Sequence, residues 1–220
     1  MNKPSPGNKP SAAAARFRTE AAKRILVTDG AWGTMIQTFG LAEADYAGTL
    51  GLSHEQKGNN DMLCLTRPDI IEKITQGYLD AGSDIVSTNT FSSTTISQAD
   101  YGAEHLVREL NLAAAGIARR AADAAQAKDG RPRFVAGALG PTNKTLSLSP
   151  DVNDPGFREV DYDQVKDVYT QQIQALLDGG VDFILIETIF DTLNAKAAIM
   201  AVLEESDRRG VEIPIMISMT

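Results

Sequence analysis

The stretch GGVDFILIETIF, Gly179–Phe190, decides the fold. Two glycines and a spacer lead to Asp182. Apolar residues then run from Phe183 to Ile186, and Glu187 and Thr188 end the run. A short apolar run behind glycine reads as a buried strand. AGSDIVSTNTF, Ala81–Phe91, echoes it: glycine, a spacer, Asp84, an apolar start, then polar residues. Five positions after the shared aspartate stands Asn89 in the first copy and Glu187 in the second. Upstream, ILVTDGAWGTMI, Ile25–Ile36, runs from apolar residues into Asp29, Gly30, Ala31, Trp32 and Gly33.

Between these runs lie helical patterns. RPDIIEKITQGYLDAGS has proline near its start, glycine near its end, and Ile70, Ile71, Ile74 and Tyr78 at helical spacing. AEHLVRELNLAAAGIARRAADAAQAK, DYDQVKDVYTQQIQALLDGG and TLNAKAAIMAVLEESDRRG read as three further helices. RFVAGALGP and EIPIMISMT read as strands. TEAAKR reads as a short helix feeding the first strand. Residues from about Phe39 to Asp61 read as a loop, and TNKTLSLSPDVNDPGFREV as a long polar one of the functional kind. The count is five strands with four intervening helices. Strands alternating with helices give an α/β fold, a parallel sheet covered by helices.

In such sheets ligand sites form at the carboxyl ends of the strands. Asp29, Asn89 and Glu187 end three different strands and are expected to converge there. Two carboxylates suit an ammonium group, and the glycine turn Gly30–Gly33 lets backbone N–H groups approach a carboxylate. Together they describe a site for a small amino acid. The competing reading makes Asp29 and Glu187 caps of the turns and helices that follow.

Other candidates carry less. His54 and His105, the two histidines, have no metal-like spacing and read as surface residues. Cys64 sits among apolar residues and reads as packed; Trp32 could wall a pocket, but a single aromatic beside a strand reads first as core. DGAWGT is not a dinucleotide fingerprint, and no phosphate loop or nucleophile elbow is present.

The bulk composition narrows the classes. In 220 residues, 43% are hydrophobic and 23% charged, as in globular proteins. A net charge of −8 argues against nucleic acid and against anionic membranes as partners. One cysteine makes no intrachain disulfide, and no apolar run reaches membrane-spanning length. A cytoplasmic protein is expected. Residues 1–16 read as a flexible basic leader and 17–220 as the domain.

VTDGAWGTMIQ, GNNDMLCLTRPDII, STNTFSSTTISQADYG, VAGALGPTNKTLSLSPDVNDPGFR and ILIETIFDTLNAKAA together resemble the homocysteine-binding (homocysteine S-methyltransferase) domain of cobalamin-dependent methionine synthases. The likeness covers about residues 24–220, and GPTNKTLSLSPDVNDPGFR is its most specific part. It implies a (β/α)8 TIM barrel, with about five of the eight strands in this chain. It also implies homocysteine as substrate, its ammonium on Asp29 and Glu187. Its carboxylate would meet the backbone around Gly30, Ala31 and Gly33 and near Asn89 and Thr90.

In that family zinc, held by three cysteines, keeps the substrate thiol as thiolate. The thiolate then takes a methyl group from methylcobalamin on another domain. This chain departs from the pattern, because the ligand cysteines are absent and no metal ligand or catalytic residue is assigned here. Neither zinc nor cobalamin is expected to bind this chain alone. The folate- and cobalamin-binding domains, or the rest of the barrel, are expected partners in the same or another chain. The expectation is an N-terminal fragment with open sheet edges, inactive alone. The alternatives are a non-catalytic amino-acid-binding module or one part of a split enzyme. A relative using a betaine or methylsulfonium donor is disfavoured by the SLSPDVNDPGFR loop.

Overall fold

In the computed structural model, which describes residues 8–220, the apolar runs lie side by side in chain order. Ile85–Ser87, Phe134–Leu139, Phe183–Ile189 and Ile215–Met219 form one parallel four-stranded sheet. Its register sets Ile85 against Phe134, Ala136 against Phe183 and Ile184 against Ile215. Parallel neighbours need crossovers. The helices Val107–Asp129, Tyr162–Asp178 and Thr192–Arg209 supply them, and Pro68–Asp80 leads into the first strand. Local chemistry starts these helices where the sequence says: Pro68 opens one, and Asp161 with Gln164 forms a capping box on another.

Helices cover the outer face of the sheet and apolar residues fill the lower part of its inner face, so the strands begin as apolar runs. Outward-facing Val86, Val135, Ile184 and Ile186 pack with helix residues such as Ala118, Ile173, Leu176 and Ala201. Inward-facing Ile85, Phe134, Ala136 and Phe183 form a second cluster. Burial of Phe134 and Phe183 contributes about 1.5–3 kcal/mol each. Phe17 closes this inner cluster, its ring 5.4 Å from Phe134 and 5.0 Å from Phe183.

Phe17 is carried by a helix that begins inside the segment read as a flexible leader. A helix spans Ala12–Ala21 instead of Thr19–Arg24, with Ser11 as N-cap accepting from the Ala14 N–H at 3.0 Å. The capped alanine run outweighs the prolines before it. Lys9–Pro10 pairs in parallel with Val211–Glu212. Residues 1–7 of that leader lie outside the described residues.

The first expected strand also differs. Ile25–Asp29 makes a single bridge, Thr28 to Ile85, and Ile25 is 88% exposed. A strand needs a neighbour to hold it, and on its far side this segment has none among the described residues. The last run splits at Ile213 and Pro214, and only Ile215–Met219 joins the sheet, leaving Met219 71% exposed. The described residues therefore form an open sheet, not a closed barrel. A short helix, Glu43–Ala47, stands inside the stretch read as loop.

The aspartate shared by the two echoing segments has a structural use. Asp84 accepts from the Val27 N–H at 3.0 Å and pairs with Arg24 and Arg131. Asp182 accepts from the Val135 N–H at 2.8 Å and pairs with Arg119. Each carboxylate ties the start of its strand to the preceding segment.

Candidate functional site

A cavity of about 580 Å³ opens at the carboxyl ends of the strands. Asp29, Gly30, Ala31, Gly33, Asn89, Thr90 and Glu187 all line it. Sequence reasoning missed Asp61, Ser87 and Ser218 on the same wall. The strand alternation that buries Phe183 in the inner cluster places Leu185 and Glu187 above it on the same face.

Asp29 is held by Ser87 through one carboxylate oxygen. Its Oδ2 accepts from the Ser87 N–H at 2.7 Å and the Ser87 hydroxyl at 2.8 Å. The Trp32 indole N–H donates to that same hydroxyl at 3.0 Å. Trp32 packs against the cluster of Ile36, Leu63 and Ile74, as the core reading expects, and its indole also lines the cavity and orients Ser87. Burial pushes the Asp29 carboxyl up, against the pull of the two Ser87 bonds. Beneath the turn, the Tyr78 hydroxyl donates to the Ala31 carbonyl at 2.9 Å. A Cβ on Gly30 would lie 3.1 Å from that hydroxyl, so glycine at position 30 lets the ring sit this close without shifting.

Glu187 is the opposite case. It is partly buried, and no hydrogen bond or ion pair reaches its carboxylate among the described residues. Burial and the negative charges of Asp29 and Asp61 push it up. Asp61, in turn, is buried and accepts from the Ser92 N–H at 2.7 Å and the Ser93 hydroxyl at 2.8 Å. Burial raises it to about 6 despite those bonds. Its place in the polar segment GNNDML gave no signal of burial, because the partners lie some thirty residues on.

The other expected residues offer their backbones. The Asn89 amide donates to the Asn60 carbonyl at 2.8 Å, and the Thr90 hydroxyl to the Ala138 carbonyl at 2.8 Å. Both side chains are engaged in the fold. Cys64 is buried against Asn89, its thiol 3.5 Å from the Asn89 carbonyl, and burial pushes that thiol far up. Among the described residues, no group of three or more His, Cys, Asp or Glu is placed to hold a metal ion. His54 and His105 are exposed. No described helix is long and apolar enough to cross a membrane.

Three carboxylates thus face one cavity, and no Lys, Arg or His stands among the described residues lining it. A wall of that kind, at the carboxyl edge of a parallel α/β sheet, favours a small ligand with positive charge. The homocysteine S-methyltransferase family model matches residues 26–220, and the chain belongs to that family. Among solved structures, the homocysteine methyltransferase MmuM from Escherichia coli in its metallated form is similar, with 20% identity and a TM-score of 0.68. That match covers 90% of this chain and 64% of MmuM. The apo form of MmuM gives 21% identity and a TM-score of 0.62, covering 93% of this chain and 63% of that one. At such identity the likeness is one of fold, and the chain spans less than two thirds of that protein's length.

Proposed function

We propose that this chain is the homocysteine-binding part of a cobalamin-dependent methionine synthase, with homocysteine as methyl acceptor. The observation that carries the proposal is the pair Asp29 and Glu187, one carboxylate anchored and the other unpartnered, beside a glycine turn. The substrate ammonium sits between them. Opposite charge reverses the effect of burial and keeps both carboxylates ionised when the ligand is bound. The substrate carboxylate lies against the N–H groups of Gly30, Ala31 and Gly33 and the backbone at Asn89 and Thr90. A cytoplasmic setting belongs to the same reading.

Zinc and methylcobalamin come with this reading, and the residues here do not fit the metal. Cys64 is buried away from the carboxylates' open space, with its thiol raised and bonded to Asn89. No step is therefore assigned to zinc on these side chains. The metal ligands, the remaining strands of a (β/α)8 barrel and the cobalamin- and folate-binding domains would come from residues outside this chain. The same misfit favours a second reading, a module that binds the amino acid without catalysis.

Calorimetry on the full-length protein tests the binding proposal. Homocysteine should bind, and 4-mercaptobutanoate, which lacks only the amino group, should bind at least tenfold more weakly. Equal affinity for the two would overturn the role given to Asp29 and Glu187. Methyl transfer to homocysteine then separates the enzyme from the binding module.

A further inference from the structure

The Phe183–Ile189 strand breaks its own alternation one residue after Glu187. Ile184 and Ile186 belong to the outer cluster, and Leu185 and Glu187 face the cavity. Strict alternation would turn Thr188 outward and Ile189 inward. Ile189 is instead buried in the outer cluster with Ile184 and Ile186. The register agrees: Ile186 stands opposite Ile217 and Ile189 opposite Met219, three steps on one strand against two on the other. One residue is extra, which is a β-bulge at Glu187–Thr188.

Thr188 has φ of +57°, and among the described residues it is the one non-glycine with positive φ. That backbone suits glycine or asparagine. For a β-branched side chain it is strongly disfavoured, and such conformations gather at ligand sites. The strand resumes at once, with the Thr220 N–H donating to the Ile189 carbonyl at 3.3 Å. The irregularity is thus confined to the residues that carry the unpartnered carboxylate. No side chain holds Glu187, and the negative charges of Asp29 and Asp61 oppose its own. Its direction comes from the backbone.

We propose that Thr188 is a positioning residue: the left-handed bulge it forms aims the Glu187 carboxylate at the ammonium group of the bound amino acid. This rests on the amino-acid site proposed above. A regular strand would still turn Glu187 to the inner face, but without the bend that a bulge adds at the strand's end.

The test compares backbone variants in the full-length protein by homocysteine affinity, preference over 4-mercaptobutanoate, and unfolding midpoint. Thr188→Gly and Thr188→Asn keep the left-handed backbone accessible. Deletion of Thr188 removes the bulge while leaving Glu187 inward and Ile189 outward, and Thr188→Pro, whose ring fixes φ at about −65°, forbids the left-handed backbone without shortening the strand. The expected result is affinity within about twofold of the parent for Gly and Asn. The deletion, or Thr188→Pro if the deletion does not fold, should bind roughly tenfold more weakly and lose its preference for the amino ligand. Four variants that bind alike, or a loss in Gly equal to that in Pro, would overturn the proposal. A parent protein that binds no homocysteine overturns the amino-acid site itself, and is distinguished because it needs no variant.

Discussion

Asp29 and Glu187 face one cavity, yet only Asp29 is tied down: Ser87 gives it two hydrogen bonds and Glu187 receives none. The pair is frustrated when empty, since both carboxyls are pushed up and the charge of Asp29 contributes to the rise at Glu187. An ammonium group between them removes the repulsion. Glu187→Gln should therefore weaken homocysteine binding by roughly 1.5–3 kcal/mol, the scale of a hydrogen bond to a charged group. Its unfolding midpoint should hold or rise slightly, because no bond within the protein is lost. Calorimetry and thermal unfolding on the same variant check both halves. Unchanged affinity would remove Glu187 from the site.

Gly30 and Gly33 separate two roles of the same turn. Alanine at 30 meets Tyr78 at 3.1 Å from the hydroxyl oxygen and 3.2 Å from a ring carbon, and this ring holds the Ala31 carbonyl. Overpacking of this kind costs about 1–3 kcal/mol, and the turn should shift with the ring. Alanine at 33 has 4.0 Å to its nearest neighbour, the Asn60 amide, and should change stability by less than about 0.5 kcal/mol. Denaturant titration of the two variants gives the comparison, and equal destabilisation would show that Tyr78 yields.

Asp61 makes stability depend on pH. Its folded carboxyl titrates at about 6, above the ordinary value of 3.8, so the folded state holds that proton more tightly. The resulting stabilisation is complete below about pH 4 and is lost as pH rises through 6. Asp61→Asn keeps an acceptor for the Ser92 N–H and the Ser93 hydroxyl without the buried charge. It should be more stable than the parent at pH 7.5 by on the order of 2 kcal/mol, with the gain fading towards pH 4. A gain that does not vary with pH would point away from ionisation.

Asp191 works in the opposite sense. Its carboxylate caps the Thr192–Arg209 helix through the Leu193 and Asn194 N–H groups. It also accepts from the Leu146 and Ser147 N–H groups and the Ser147 hydroxyl of the long polar loop. Burial alone would raise it. The Ser147 hydroxyl and the surrounding N–H groups outweigh burial and bring it to about 2. Its stabilisation is full above about pH 4 and is lost as pH falls towards 2. Asp191→Ala should cost about 1–2 kcal/mol for the cap alone and should open residues 142–160 to protease. A stability loss with no faster cleavage in that loop would mean the tether is not needed.

The strand ends were legible because a parallel sheet sends every strand's carboxyl end to one edge, so the last polar residue of each apolar run marks that edge. Asn89 shows the limit of the rule. It shares Glu187's place in the echo, but its amide is spent on Asn60. The shared aspartates, Asp84 and Asp182, mark the echo in the sequence and prove to be ties between segments at the other end of the strands. Ile25–Asp29 has the composition of a strand and forms one bridge, because composition does not supply a neighbour.

The sequence by itself determined the order of the four sheet strands and the helices between them, and the edge at which Asp29, Asn89 and Glu187 gather, since hydrophobic period and capping act over a few residues. Only the tertiary structure decided which carboxylates are satisfied. Ser87 lies 58 residues from Asp29, and Ser92 and Ser93 lie 31 and 32 from Asp61. A charge's environment is made by groups distant in sequence. The extra residue at Thr188 likewise shows only against the neighbouring strand, because a bulge is a mismatch between two chains' counts and neither segment contains it alone.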